Sequence, residues 1–177
     1  MPPGTPAWGS EWKKAVARHY NHTVAINIHA SSIAVRQNYL DLDPTYRDAW
    51  GQPLLRMTFD FPDNDVRMSE YLTGKAEEIA KAMGGKQVVA TPRKRPYTTT
   101  IYQSTHNTGG TIMGTDPASS VVNPWLQVWG MHNLFVIGAS NFPQNASYNP
   151  TGPVGALAYR AADAIVNRYL KKPGPLA

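Results

Sequence analysis

The sequence predicts an α+β fold, because helical and strand-type hydrophobic patterns both occur along its 177 residues. Residues 63–83 carry apolar side chains at near-helical spacing, and Gly84-Gly85 follows them as a helix stop. Residues 23–28 and 53–61 alternate apolar and polar side chains with the period of two that is typical of strands. A chain of this length can bury the core of one ordinary domain.

The remaining elements before residue 130 follow from the same patterns. Residues 11–20 are predicted as a short helix with its apolar side chains on one face. Residues 41–51 have the Asp, Pro and Gly content of a turn-rich connection between two strands. Residues 86–90 and 97–102 are predicted as two further strands, separated by an exposed loop.

The last part of the chain predicts a buried strand that leads through a loop into a helix. Residues 134–137 form a continuous apolar run, as in a strand buried on both faces of a parallel sheet. Residues 152–169 show an apolar stripe and small side chains, as in a helix that packs closely on a sheet. A strand, an Asn- and Pro-rich loop and a helix N-terminus can bind a phosphate or a polar cofactor edge through backbone N–H groups. The pattern therefore favours a nucleotide-type site.

Composition restricts the function classes. With 42% hydrophobic and 16% charged residues, the sequence is that of a soluble globular protein, and it lacks the run of about 18 apolar residues that spans a membrane. No signal peptide is visible at the start of the chain. The absence of cysteine excludes disulfides and thiolate metal ligands, and it is compatible with cytosol or periplasm. The net charge of +5 is dispersed, so no nucleic-acid-binding face is predicted.

Two segments of the sequence together resemble a known family. Residues 105–116 read THNTGGTIMGTD, and residues 133–165 lead from an apolar run through an Asn-Pro loop into the last helix. In order and spacing they resemble the closing signatures of the glucose-methanol-choline (GMC) oxidoreductase family. Residues 41–64, DLDPTYRDAWGQPLLRMTFDFPDN, are similar to the branch that contains gluconate and related sugar-acid dehydrogenase flavoprotein subunits.

The resemblance implies a division of the chain into two segments. Residues 1–130 are expected to form an antiparallel substrate-domain sheet with flanking helices, and this segment carries the catalytic His. Residues 131–177 are expected to return as the final strand, loop and helix of an FAD-binding α/β domain. The sequence contains no G-x-G-x-x-G element, so the family's N-terminal dinucleotide-binding part is absent. A truncated or split gene, an isolated domain and a sequence fragment are three explanations of that absence.

By resemblance, His106 is the catalytic base and Asn149 is its partner. A flavin oxidises an alcohol when a base removes the hydroxyl proton while the carbon faces the ring, and the pKa of histidine lies near neutrality. The Asn149 amide can donate to the substrate oxygen without competing for its proton. Taken alone, His106 would be interpreted as a loop residue and Asn149 as an ordinary helix-entry residue.

The resemblance also implies FAD as the cofactor, with contacts from five residues of the second segment: Gly138, Ala139, Asn149, Pro150 and Thr151. Many family members have Asp-Ala where this sequence has Gly-Ala, so an acidic flavin contact is missing here and backbone contact remains. Tyr148 is assigned to the substrate pocket. Arg36 is one of several candidates for pairing with a substrate carboxylate. The other histidines match no family motif and are predicted to be structural or solvent-facing, without a metal site: His19, His22, His29 and His132.

The partners follow from the same resemblance. A sugar or sugar acid is the expected substrate, and a cytochrome c electron-acceptor subunit and a small subunit are the expected protein partners. No nucleic acid and no direct membrane span are expected. The gluconate dehydrogenase branch implies the periplasm, with attachment to the membrane through partner subunits, and the cytoplasm is the alternative. The competing interpretation is a catalytically inactive fragment or interaction domain that does not bind FAD alone.

Overall fold

The structure is a computed structural model, and it describes residues 1–99, 106–145 and 147–176. Its helices and strands, in chain order, are α1 (Gly9–His19), β1 (Ser32–Ile33), β2 (Tyr39–Arg47), β3 (Pro53–Thr58), α2 (Asp63–Ala82), β4 (Gln144–Asn145) and α3 (Thr151–Ala164). The strands form two small antiparallel sheets, β1 with β4 and β2 with β3. This mixture of helices and antiparallel sheets confirms the predicted α+β class.

All three predicted helices are confirmed. α1 covers most of residues 11–20 and ends with Arg18 and His19 in its last turn, where positive charge is favourable. α2 carries two aspartates in its first turn and is followed by Gly84, whose φ of +83° is the left-handed conformation that ends a helix. α3 continues into a π-helical turn over Ile165–Tyr169, so together they cover the predicted helix.

Several of the predicted strands are wrong. Residues 23–28 and 86–90 are not in strands of the described structure. In the predicted strand 97–102, the first three residues are not in a strand, and the other three lie outside the described residues. A sheet strand forms only where a neighbouring strand pairs with its backbone groups. Alternating apolar residues therefore identify a segment that could form a strand, but they do not show whether another strand pairs with it.

The predicted buried strand over residues 134–137 is also wrong. Within this run only Phe135 forms a bridge, an isolated antiparallel one to Gln127. Leu134 and Ile137 are 41% and 47% exposed, so the run is not buried on both faces. The apolar composition is that of a central strand, but the part of the chain that the structure describes provides no sheet around it.

The predicted turn-rich connection over residues 41–51 is a strand and a hairpin turn. β2 pairs with β3 in a register from Tyr39↔Thr58 to Leu42↔Leu55, with an irregularity before Arg47↔Pro53. The Asp43 carboxylate accepts from two backbone N–H groups at 2.8 Å within this irregularity, and the Asp48 carboxylate accepts from two at 2.9 Å in the turn. The turn-forming residues therefore shape a bulge and a tight turn inside one hairpin. The predicted strand over residues 53–61 is confirmed over residues 53–58 as β3, and residues 59–61 are not in a strand.

The buried core lies between α3 and the segment that precedes residue 137. Val122, Leu126 and Ala161 are at most 1% exposed, and four half-buried side chains pack against them: Met113, Val128, Val136 and Leu157. Ala161 and Ala164 are fully buried on α3, so their small side chains allow the helix to pack closely. The apolar stripe is confirmed, although α3 packs on a segment with isolated bridges rather than on a sheet.

The chain divides into two compact units. One unit contains residues Met1–Ile28 and Arg67–Arg93, and the other contains His29–Val66 and Lys94–Ala177. All candidate catalytic, cofactor and substrate residues belong to the second unit. None of the helices in the described ranges is both long and apolar enough to cross a bilayer.

Candidate active site

The two motif segments lie against each other in the second unit. The backbone N–H groups of residues 109, 111 and 113 donate to the carbonyl groups of residues 139, 140 and 141, at 3.3, 3.0 and 2.8 Å. The first group of residues belongs to the motif that begins with His106, and the second belongs to the loop that leads to Asn149. The backbone therefore holds together two segments that are distant in the sequence.

Asn141 connects these segments from the interior. Its side chain is fully buried and donates from Nδ2 to the carbonyl of Thr111 at 3.2 Å. Its Oδ1 accepts from the backbone N–H of Gly138 at 3.0 Å. Both ends of the amide are thus used, as a buried polar group requires. Sequence reasoning missed this residue, because nothing local distinguishes a buried Asn from the exposed ones in the same loop.

His106 is half-buried, and its backbone is held in an uncommon conformation. Its φ of +62° lies in the left-handed region, which costs energy for a residue with a side chain. The carbonyl of His106 accepts a hydrogen bond from Nδ2 of Asn145 at 3.3 Å. Asn145 is itself fixed, because it pairs with Ser32 in the β1–β4 sheet and its carbonyl accepts from the Ser31 hydroxyl at 2.7 Å. Through Asn145, the small sheet therefore supports the backbone of His106.

The His29 ring lies beside the imidazole of His106, and the Tyr148 ring lies beside His29. The ring centroids of His29 and His106 are 5.7 Å apart with an interplanar angle of 42°. The Tyr148 ring lies 6.5 Å from the His29 ring, at 45°. His29 is exposed, which agrees with its prediction as a structural or solvent-facing residue. It nevertheless lies next to the candidate base, where the sequence predicted no role for it. No sequence signal connects His29 with a motif so far along the chain.

Asn149, Pro150 and Thr151 lead into the N-terminus of α3. Asn149 is exposed and follows Tyr148 directly, so it lies in the same part of the unit as the ring group. Pro150 precedes the helix, and its carbonyl accepts from the N–H of Val154 at 2.9 Å. Within the described residues no side chain caps this helix end. The end is therefore open to a polar or anionic group.

The backbone at Gly138 fits the close approach of a flat cofactor. Its φ of +157° with ψ of −175° belongs to a region that glycine alone adopts readily. A Cβ placed there would meet none of the described atoms within 4 Å, so this side of the backbone faces open space. The N–H of Gly138 already donates to Asn141, so a cofactor would contact the open side of the α-carbon. With Ala139 beside it, the backbone here leaves room for the edge of a flat group.

Arg36 and two tryptophans outside the motif segments lie in different surroundings. Arg36 donates from Nη2 to the carbonyl of Ala118 at 2.8 Å, so its guanidinium already has a backbone partner. The Trp125 ring lies beneath the guanidinium groups of Arg160 and Arg168, at 4.5 and 4.1 Å. Trp129 donates from Nε1 to the Ser120 hydroxyl at 2.9 Å. Among the residues described, no group of three or more His, Asp or Glu could hold a metal ion.

Comparison with known proteins gives matches over both motif segments. Residues 34–158 match the family model of the GMC oxidoreductases. The gluconate 2-dehydrogenase flavoprotein of Pantoea cypripedii is 54% identical over 178 aligned residues, covering 99% of this chain and 29% of that protein. The fructose dehydrogenase large subunit of Gluconobacter japonicus is 34% identical, covering 90% of this chain and 28% of that protein. The 2-methyl-1,2-propanediol dehydrogenase of Mycolicibacterium austroafricanum is 31% identical, covering 92% of this chain and 28% of that protein.

These matches decide the family, although the chain spans less than a third of the length of the relatives that it matches. The family model begins directly after β1 and ends within α3, and it includes His106, the loop around Gly138 and Asn149. The segments that the backbone holds together are thus also the segments that the comparison matches. This chain belongs to the GMC oxidoreductase family.

Proposed function

We propose that this chain is the C-terminal part of an FAD-dependent dehydrogenase that oxidises a CH–OH group of a sugar, a sugar acid or a related polyol. The observation that carries the proposal is the direct backbone pairing between the segment after His106 and the loop before Asn149. The match to the GMC family over both segments supports FAD as the cofactor, and the name of the first relative designates a flavoprotein.

The proposed mechanism assigns one task to each side chain. His106 accepts the hydroxyl proton of the substrate at a ring nitrogen, and its half-buried position beside the exposed His29 ring leaves the imidazole accessible. Asn149 donates from its amide to the same oxygen and orients it. Bound FAD supplies the hydride acceptor. Tyr148 borders the substrate, and four residues border the flavin together with Asn149: Gly138, Ala139, Pro150 and Thr151.

The relatives suggest a common feature of the substrates. Gluconate, fructose and 2-methyl-1,2-propanediol, which the relatives' names contain, all carry oxygen atoms on adjacent carbons. We therefore expect a substrate in which the oxidised carbon has an oxygen-bearing neighbour. Gluconate is the first compound to test, because the protein of 54% identity is named for it.

The remaining proposals concern the larger protein. Residues 1–130 contribute to the substrate domain, and residues 131–177 complete the FAD domain. Electrons leave the flavin for a cytochrome c subunit, and a small subunit completes the assembly; relatives named as a large subunit and as a flavoprotein support such an assembly. We place it in the periplasm, attached to the membrane through its partners, with the cytoplasm as the alternative. Cell fractionation with detection of this chain distinguishes the two locations.

Anaerobic single-turnover kinetics test the assignment of His106. In the larger flavin-loaded protein that contains this chain, His106→Ala is expected to slow flavin reduction by gluconate. The expected factor is about 10² to 10⁴, the usual contribution of general base catalysis. His132→Ala is the matched control, because this histidine lies outside the motif segments, and its reduction rate should be unchanged. A normal rate in His106→Ala would remove this residue from the role of base.

A second candidate function applies to the 177 residues by themselves. The sequence lacks a G-x-G-x-x-G element, and the chain spans 29% of its gluconate 2-dehydrogenase relative, so most of the contacts to FAD would come from other sequence. We expect the purified chain to contain little or no flavin and to show no dehydrogenase activity. Stoichiometric flavin absorbance in the purified chain would contradict this inactive-fragment interpretation.

A further inference from the structure

His29 lies next to the candidate base, although no motif of the sequence includes it. We infer that His29 belongs to the substrate site and that its imidazole binds the oxygen on the carbon adjacent to the one that is oxidised. The inference rests on the proposed function, because it takes His106 as the base. It assigns to His29 the recognition of polyols and hydroxy acids and leaves proton abstraction to His106.

The separation of the two imidazoles carries the first step. Their centroids are 5.7 Å apart, and the planes are tilted by 42°, so the rings are neighbours without being stacked. A ring nitrogen reaches an oxygen at about 2.8 Å. Two imidazoles at this separation can therefore each form a hydrogen bond to one of two oxygens on adjacent carbons. A substrate hydroxyl at His106 would place its neighbouring oxygen toward His29.

The second support for the inference is the hydrogen bonding of the polar side chains near His29. Ser31 donates to the carbonyl of Asn145 and accepts from the Gln144 side chain, so these polar groups are engaged with each other. Among the described residues, neither the His29 imidazole nor the Tyr148 hydroxyl has a hydrogen-bond partner. Tyr148 is 73% exposed, and its ring centroid lies 6.5 Å from that of His29. The His29 imidazole next to His106 and the neighbouring Tyr148 hydroxyl are therefore accessible to a ligand.

The chemistry of these groups indicates the kind of ligand. An imidazole offers an N–H donor to a hydroxyl or a carboxylate, and a tyrosine hydroxyl can donate or accept. Tyrosine also offers an apolar ring face beside its polar tip. A polyol or a hydroxy acid has both C–H faces and several oxygens, whereas a simple alcohol has no second oxygen for His29.

Steady-state kinetics of the flavin-loaded protein with gluconate test the inference through three variants. His29→Ala is expected to raise KM by about tenfold, the effect of losing one substrate hydrogen bond, with kcat within about twofold of the parent value. His29→Gln should recover most of the affinity, because its amide also donates. His132→Ala should leave both constants unchanged. This split between KM and kcat, with rescue by Gln, is not expected of a residue that only supports packing.

A measurement without turnover provides an independent test. In the larger flavin-loaded protein, labelled at histidine and with its flavin already reduced, gluconate is expected to shift the ring resonances of His29 and His106 in the NMR spectrum and to leave those of His132 in place. An unshifted His29 resonance would overturn the inference. An unchanged KM in His29→Ala, or equal losses in the Ala and Gln variants, would also overturn it.

The two proposals fail in different ways. If His106→Ala abolishes flavin reduction while His29→Ala leaves KM unchanged, the proposed function stands and only the role of His29 is wrong. If His106→Ala reduces its flavin at the parent rate, the proposed function fails, and the inference on His29 fails with it.

Discussion

The side-chain amide of Asn145 donates to the backbone carbonyl of His106 at 3.3 Å, across two segments that are distant along the chain. Asn145 is also a strand residue, paired with Ser32 in the β1–β4 sheet. It therefore links the candidate base to that sheet. His106 has a φ of +62°, so its backbone needs such support to remain in one conformation.

Removing this support should weaken catalysis more than binding. Asn145→Ala deletes the hydrogen bond, and we expect kcat for gluconate oxidation by the flavin-loaded protein to fall by about tenfold, equivalent to roughly 1.4 kcal/mol. Stopped-flow flavin reduction measures the effect. Asn133→Ala, at an exposed turn residue, is the control and should react at the parent rate. Parent kinetics in Asn145→Ala would show that the amide does not position His106.

The Gly138 backbone should not tolerate a side chain, although there is space for one. Since a Cβ would meet none of the described atoms within 4 Å, the cost of Gly138→Ala is conformational, about 1–3 kcal/mol of unfolding free energy. Gly155→Ala is the matched control, because this glycine lies within α3, has similar open space and lacks a positive φ. The control should be stabilised by about 0.5–1 kcal/mol. Urea denaturation compares the two, and equal stabilities would contradict the assigned conformation.

The packing of α3 can be tested at two adjacent alanines. Ala161 is fully buried against the core, whereas Ala162 is exposed on the same helix. Ala161→Leu should overpack the core and destabilise the chain by about 1–3 kcal/mol. Ala162→Leu should change the stability by less than about 0.5 kcal/mol. Chemical denaturation provides both values, and the reverse order would mean that a different helix face is buried.

The β2–β3 hairpin contains an ion pair, Arg56 with Asp41, whose effect on the pH dependence of stability can be predicted. Arg56 donates from Nε to Asp41 at 2.8 Å across the β2–β3 pair, and this hydrogen bond lowers the pKa of Asp41 below its ordinary value of 3.8. A lowered folded-state pKa means that the pair contributes stability above pH 3.8 and loses it as pH falls through the folded value. Both side chains are substantially exposed, so the effect on overall stability should be small.

NMR titration of the carboxyl carbons measures this pair directly. In Arg56→Ala, the pKa of Asp41 should rise toward 3.8. Asp43 serves as the internal control, because its pKa is lowered mainly by backbone hydrogen bonds from Tyr46 and Thr45 and should remain low. A shift of both carboxyl groups by the same amount would contradict the assignment to the Arg56 hydrogen bond.

The helices could be predicted because their signals are local. Apolar side chains recur every three or four residues along a helix, and the helix ends at a residue such as Gly84. A short window of the sequence therefore contains all the signals that predict the helix. The strands could not be predicted in the same way. Residues 23–28 alternate as well as residues 53–61 do, yet within the described residues only the second segment pairs with another strand. That partner, β2, lies largely in the segment whose composition predicts a turn.

The sequence by itself determined the family, the helices and the candidate residues His106 and Asn149, because each depends on residue types at fixed local spacing. Only the tertiary structure decided that Asn141 is buried between the motif segments, that Asn145 supports His106 and that His29 lies beside it. These relationships depend on backbone hydrogen bonds and close contacts between residues far apart in the chain. No local pattern encodes such contacts, since they form only when the chain has folded.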